Sequence, residues 1–364
     1  PSGNFLALCS ANLPEPTISP NALTQADDYF NTVLYTGNGS STHAITGVGF
    51  QADFNWLKER SSDSAPMIHD VIRETVGAGT SLNTDRTDAE STNSTRFKSF
   101  DSDGFTVGSN TGSNESGETY VAWNWKAGGT AVSNTDGTIT SSVSANTDAG
   151  FSIVTYTGTG SQATIGHGLG KKPSCIIIKG RDDSARYWVV YHDKLGSGSP
   201  ATKYLVLNTT AGEAPDGGAF WNGIEPTNSV FTVIQNFAVN RLAETYVAYC
   251  FAEIESYSRF GSHTGNGSTD GTFVYTGFRP AWVMVKRTDG GNGWNIHDSI
   301  RGNFNVNNKT LQPNTNGQEG TGASIDFLSN GFKFRDAGNS QNGSGASYIY
   351  MAFAEAPFKY ANAR

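Results

Sequence analysis

Five short phrases recur three times, in the same order, along this chain, and that recurrence limits the available folds more than any other feature. The first is a turn: YTGNG at 35–39, YTGTG at 156–160 and HTGNG at 263–267. The second is an apolar run ending in basic residues: DFNWLKER at 53–60, SCIIIKGR at 174–181 and AWVMVKR at 281–287. The third is a His-Asp pair: His69-Asp70, His192-Asp193 and His297-Asp298. The fourth is DGFTVGS at 103–109, SVFTVIQ at 229–235 and NGFKFRD at 330–336. The fifth is ETYVAWNWK at 118–126, ETYVAYCFAE at 244–253 and ASYIYMAFAE at 346–355. The spacing holds with the wording: 35 residues from Tyr35 to Asp70, 37 from Tyr156 to Asp193 and 35 from His263 to Asp298. The chain is three diverged copies of one module of roughly 100 residues.

Alternation gives the module its class. Val121, Trp123 and Trp125 lie two apart, as do Val247, Tyr249 and Phe251, and Ile349, Met351 and Phe353. A period of two puts each trio on one face of a strand, as a sandwich sheet addresses its core. Cys175 to Ile178 is apolar without alternation, which predicts a strand covered on both faces. Asp103-Gly104 and Asn330-Gly331 are tight-turn dipeptides between strand residues. Ser64–Thr75 is the one stretch that reads as helical. The expected fold is all-β: three tandem β-sandwich repeats, jelly-roll-like.

The boundaries follow from the landmarks. Residues 1–31, with Pro14, Pro16 and Pro20, read as an extended connector, and the start at Pro1 reads as that of a processed chain or fragment. Repeat 1 spans 32–128, a Gly/Ser/Thr/Asn-rich linker with a hairpin at Asp136-Gly137 spans 129–150, repeat 2 spans 151–255, and repeat 3 with its tail spans 256–364. Repeats 2 and 3 are nearly continuous, so they are expected to pack rigidly while repeat 1 hinges.

Composition narrows the function. The 43 glycines and low share of charged residues, 16%, suit short strands and tight turns. A net charge of −8 opposes non-specific binding to nucleic acid, which needs clustered Lys and Arg. No apolar run approaches the ~20 residues of a membrane helix, so no membrane insertion is expected. Cys9, Cys175 and Cys250 are odd in number and lack metal-like spacing, so neither a disulfide framework nor a metal centre is expected.

The His-Asp pairs are the best site candidates. Adjacent residues on a strand point to opposite faces and cannot share one ion, and three acid-base pairs are more than a catalytic centre needs. The expected role of His69, Asp70, His192, Asp193, His297 and Asp298 is therefore structural. The imidazole packs in or beside the core, and the carboxylate caps a turn and meets a nearby Arg or Lys. On that reading Asp298→Asn lowers the melting temperature modestly. Asp101-Ser102-Asp103-Gly104 opens like a calcium loop, but its twelfth position is Gly112 rather than Glu. Trp188, Trp221 and Trp294 are the candidate ligand-contact aromatics, since indoles stack on sugars. No catalytic residue, cofactor or metal ligand is assigned.

Through YTGNG, GFQADFNWLKER, SFDSDGFTVGS, YVAWNWKAGG and the terminal MAFAEAPFKYANAR, the chain resembles repeat-bearing tail-fibre or virion structural proteins of tailed bacteriophages, mostly of marine bacteria. The resemblance runs from about Asp28 onward. It implies a virion protein assembled in the host cytoplasm and extracellular when mature. The implied function is that of a non-enzymatic fibre or adhesin presenting loops to a host-surface glycan or protein. The expected partners are other virion proteins and further copies of itself, a homotrimer being favoured. The competing readings are a purely structural element, such as a capsid decoration or fibre shaft, and a glycan-cleaving depolymerase.

Overall fold

The structure, a computed structural model, describes residues 16–19 and 23–356. Each repeat lays down the same principal sheet. In repeat 1 the strand Phe30–Thr36 pairs with the late strand Thr119–Trp125, which pairs in turn with Phe54–Glu59 and then Met67–Asp70. Repeat 2 follows the same order with Phe151–Thr157, Thr245–Phe251, Cys175–Gly180 and Trp188–His192. Repeat 3 does so with Ser258–Thr264, Ser347–Ala354, Pro280–Arg287 and Asn295–Asp298. All these pairings are antiparallel. A smaller sheet closes each sandwich, for example His43–Thr46, Gly104–Val107 and Phe97–Asp101 in repeat 1. The fold is all-β, built of two-sheet sandwiches.

The late strand of each repeat is apolar on both faces, and each face has its own destination. In repeat 1, Tyr120 and Ala122 turn to the sandwich interior against Phe97, Phe105 and Val107. The opposite face, Val121, Trp123 and Trp125, joins a second core that all three repeats share. Trp125 packs edge-on to Trp282 at 5.5 Å and to Phe353 at 5.4 Å, both in repeat 3. Phe54 meets Tyr249 at 4.8 Å and Phe151 at 5.6 Å, both in repeat 2, and Phe251 meets Phe353 at 6.0 Å. The period-two trios are buried as the alternation requires, but they face this shared core rather than their own sandwich. Cys175 to Ile178 divides in the same way, with Cys175 and Ile177 in the shared core and Ile176 and Ile178 in the sandwich of repeat 2.

The shared core overturns the expected hinge, because repeat 1 is packed between both of its sisters. Residues 129–150 are no spacer either. Val132–Asn134 and Ser141–Asn146 form the expected hairpin, and that hairpin extends the main sheet of repeat 2 to eight strands. The stretch expected to be helical contains instead the strand Met67–Asp70, which lies in the sheet between Phe54–Glu59 and Thr80–Asn83. Pairing on both edges outweighs the weak local helical preference. Much of the expected N-terminal connector, with Cys9, and the tail after Ala356 lie outside the described residues. Ala26–Asp28 is a single 3-10 turn, after which Tyr29 and Phe30 enter the shared core.

Candidate functional site: the seams between repeats

Where one repeat meets the next, the landmark residues assemble into a network whose parts come from both. Asp70 ends its strand, and its Oδ1 accepts the backbone N–H groups of Ile72 and Arg73 at 3.1 and 3.0 Å. Its Oδ2 accepts Arg73 Nε at 2.5 Å and the Tyr249 hydroxyl of repeat 2 at 2.8 Å. Arg73 reaches on to Glu90 at 2.8 Å, and Arg181 of repeat 2 grips the same carboxylate through Nε and Nη2 at 3.0 and 2.8 Å. Asp70 and Arg73 are fully buried. Burial opposes ionisation of Glu90, yet hydrogen bonds from Arg181 and the charge of Arg73 outweigh it and hold the carboxyl below its ordinary pKa.

The seam between repeats 3 and 1 repeats this arrangement. Asp298 accepts the Ile300 and Arg301 amides, Arg301 Nε at 2.5 Å and the indole N–H of Trp123 at 2.9 Å. Arg301 continues to Glu319, which also receives Arg60 of repeat 1 at 2.9 and 3.1 Å. A buried lysine reinforces every seam by donating to a carbonyl of the adjoining repeat: Lys58 to Asn316, Lys179 to Thr87 and Lys286 to Thr210. Desolvation lowers each of these lysines to a pKa of about 8. Repeat 1 donates into repeat 3, repeat 2 into repeat 1, and repeat 3 into repeat 2. Such head-to-tail contacts, once closed, make a ring.

The third seam corrects the alignment of the His-Asp pairs. The residue after the pivot donates its N–H across the sheet in all three repeats: Val71 to Asp53, Asp193 to Ser174 and Ser299 to Ala281. The structural counterpart of Asp70 and Asp298 is therefore His192, not Asp193. His192 Nδ1 accepts the Lys194 amide at 3.2 Å, as the two carboxylates accept theirs, and Nε2 donates to the Tyr350 carbonyl of repeat 3. A one-residue slip on a strand moves every side chain to the other face, so Asp193 turns out and pairs with Lys194 at 3.1 Å. The rest of the network changes with it. Leu195 stands where the arginine was, Thr288 where Arg60 and Arg181 stand, and Met351 where Trp123 and Tyr249 stand. Glu213 remains but bonds to the Gly196 amide.

His69, one residue before its pivot, is fully buried, donates from Nδ1 to the Thr80 carbonyl and stacks on Phe97 at 4.5 Å. His297 bonds the Lys309 carbonyl and the Gln341 amide. Burial depresses these imidazoles, His69 to about 3 and His192 and His297 to about 4. The neutral forms are thus favoured on folding, and the unfolded chain binds more protons below its ordinary pKa of about 6.5. The contribution of these rings to stability is expected to be full above about pH 6.5 and to fall as pH drops, levelling off near pH 4 for His192 and His297 and near pH 3 for His69. Urea midpoints across that range check it, and a flat profile would contradict burial of the three rings.

The three tryptophans named as ligand contacts do not reach solvent. Trp188, Trp221 and Trp294 are 0%, 2% and 3% exposed. Trp188 donates across a seam to the Asn83 carbonyl and Trp294 across the next to the Val206 carbonyl, while Trp221 packs on Tyr191 inside repeat 2. Trp188, followed by Val189 and Val190, already carried that signal in sequence, whereas Trp294, between Gly293 and Asn295, did not. The exposed aromatics are others. Tyr187 and Phe237, 42% and 43% exposed, sit 6.2 Å apart with Arg186 over the Phe237 ring, and Phe273 and Tyr275 lie on an edge strand of repeat 3. Among the described residues no group of three or more His, Cys, Asp or Glu is placed to hold a metal ion. Cys175 and Cys250 are buried free thiols whose ionisation burial opposes.

Fold and seams together define a class: an all-β chain whose three sandwiches close into a ring around one shared core. A family model described as a domain of unknown function (DUF7483) matches residues 25–357. The chain belongs to that family, and the match takes in all three repeats. A search of curated proteins found no match.

Proposed function

We propose that the chain is a non-enzymatic virion protein, a fibre or adhesin component whose ring of sandwiches presents its outer loops to a host-surface glycan. The observation that carries this reading is where the titratable landmark residues lie. Asp70, His192 and Asp298, the three lysines and the arginines that pair with Glu90 and Glu319 lie at the seams and tie the ring together, while His69 and His297 are buried inside their own repeats. The variable loops are left as the outward face, which is how scaffolds that display binding loops are arranged. The closed ring also supplies from one chain the threefold arrangement expected of a homotrimer, so a single chain is proposed as the unit that joins other virion proteins. On this reading it is assembled in the host cytoplasm and is extracellular on the mature particle.

Gold-labelled antibody against the chain, applied to intact phage particles, tests the assignment. Label at a fixed place on the particle is expected, together with a light-scattering mass near 38.7 kDa for the isolated chain. Particles without label, with the chain left in the host lysate, would overturn the virion assignment, and a mass three times larger would overturn the single-chain unit.

A further inference from the structure

Between the strand Asn295–Asp298 and the strand Ile325–Leu328 the chain runs through NNKTLQPNTNGQEGTGA at 307–323, dominated by amides, hydroxyls and glycines. Its one acid, Glu319, is engaged with Arg60 and Arg301. Backbone bonds in both directions between Thr310 and Gly320, at 3.0 and 2.9 Å, hold the run as a wall. Behind that wall lies an open cleft of about 360 Å³, at the lower end of the roughly 300–1,000 Å³ of small-molecule sites.

No residue lining the cleft carries a formal charge. The side chains facing it include Asn295, Thr310, Gln312, Thr315, Gln318 and Ser340. Asn295 forms the floor and is fixed there. Its Oδ1 accepts Gln312 Nε2 at 3.1 Å, and its Nδ2 donates to the Ser340 carbonyl at 3.4 Å. Three residues before the pivot, the counterparts of Asn295 are Met67 in repeat 1 and Val189 in repeat 2, and both are packed in sandwich cores. Repeat 3 therefore has an amide where its sisters have apolar side chains, and the cleft stands over that amide.

We propose that this cleft binds a neutral, polyhydroxylated ligand the size of a mono- or disaccharide. The assignment rests on the glycan-binding reading above and locates it. Amides and hydroxyls each offer donors and acceptors, the complement of sugar hydroxyls. An anionic ligand would call for a cation in the lining, and a cationic one for a carboxylate. The low charge and the prearranged floor thus select for uncharged sugar.

The test uses an array of neutral and acidic bacterial surface oligosaccharides, probed with the full chain and with Gly322→Trp. A Cβ at Gly322 meets nothing within 4 Å, so a side chain can leave the backbone there without a clash, and an indole is chosen to narrow the cleft. Gln318→Ala serves as a second, milder variant at an exposed position, and melting curves monitor folding. The expected result is binding to neutral oligosaccharides, weakened at least tenfold by Gly322→Trp and measurably by Gln318→Ala at unchanged melting temperature. Undiminished binding in both variants would overturn the cleft while leaving glycan binding in place. Binding confined to acidic oligosaccharides would overturn the neutral class. No binding by the unaltered chain would overturn the glycan reading itself.

Discussion

Truncating Trp125 to alanine is expected to lower the free energy of unfolding by about 3–5 kcal/mol, the range for a large aromatic removed from a close-packed core. The reason is not confined to its own repeat. Trp125 touches Phe30 and Phe54 in repeat 1 and Trp282 and Phe353 in repeat 3, so the cavity opens where the repeats share their core. Urea unfolding followed by tryptophan fluorescence and by far-UV circular dichroism is expected to shift as one transition, the two signals coinciding. Separate transitions, with repeat 1 lost first, would show instead that the ring is three independent sandwiches in contact.

Asp298→Asn is the second large effect, and it exceeds the modest one that a turn-capping carboxylate predicts. The substitution leaves Arg301 buried without its closest counter-charge and weakens the bond from Trp123 across the seam. Breaking a buried pair from one side costs about 3–5 kcal/mol. Asp193→Asn, at what looks like the same position in sequence, is expected to cost no more than about 1 kcal/mol, since Asp193 is half-buried outside the seam network, with Lys194 at 3.1 Å and the His192 ring at 3.6 Å. Chemical denaturation of both variants separates the two readings. Equal losses would mean that the slip placing His192 at the pivot has no energetic meaning.

That slip shows how much the sequence could tell. The repeats, their strands and the hairpin at Asp136-Gly137 are written in local alternation and turn residues, which act over a few positions and can be read from them. The ring is not local. Trp123 meets Asp298 and Tyr249 meets Asp70 across 175 and 179 residues, and no periodicity reports a contact of that separation. Two signals nonetheless pointed toward it. The fifth landmark is apolar on both faces, which one sandwich cannot use. The step from Tyr156 to Asp193 is 37 residues where its sisters have 35; one of the two extra residues lengthens the connection between the strands that end at Gly180 and begin at Trp188, and the other is the displacement of the pair. The cleft over Asn295 had no such mark, because an amide in a strand becomes informative only beside the Met67 and Val189 of the other repeats.

The one seam without an Asp-Arg pair has a consequence for how the ring can close. Repeats 1 and 2 each carry a donating edge with an arginine and an aromatic N–H or O–H, whereas that of repeat 3 carries Thr288 and Met351. Repeats 1 and 3 each carry an accepting edge with a buried Asp-Arg pair, whereas that of repeat 2 carries His192 and Leu195 in its place. In the observed order every edge meets its own kind. Running the ring the other way would set Trp123 against His192 and Leu195, and Met351 and Thr288 against Asp70 and Glu90, leaving the indole N–H and both carboxylates without their donors or acceptors from across the seam. Three nearly identical sandwiches could otherwise circulate left or right with similar ease. The mismatched pair of edges acts as a key that admits a single handedness.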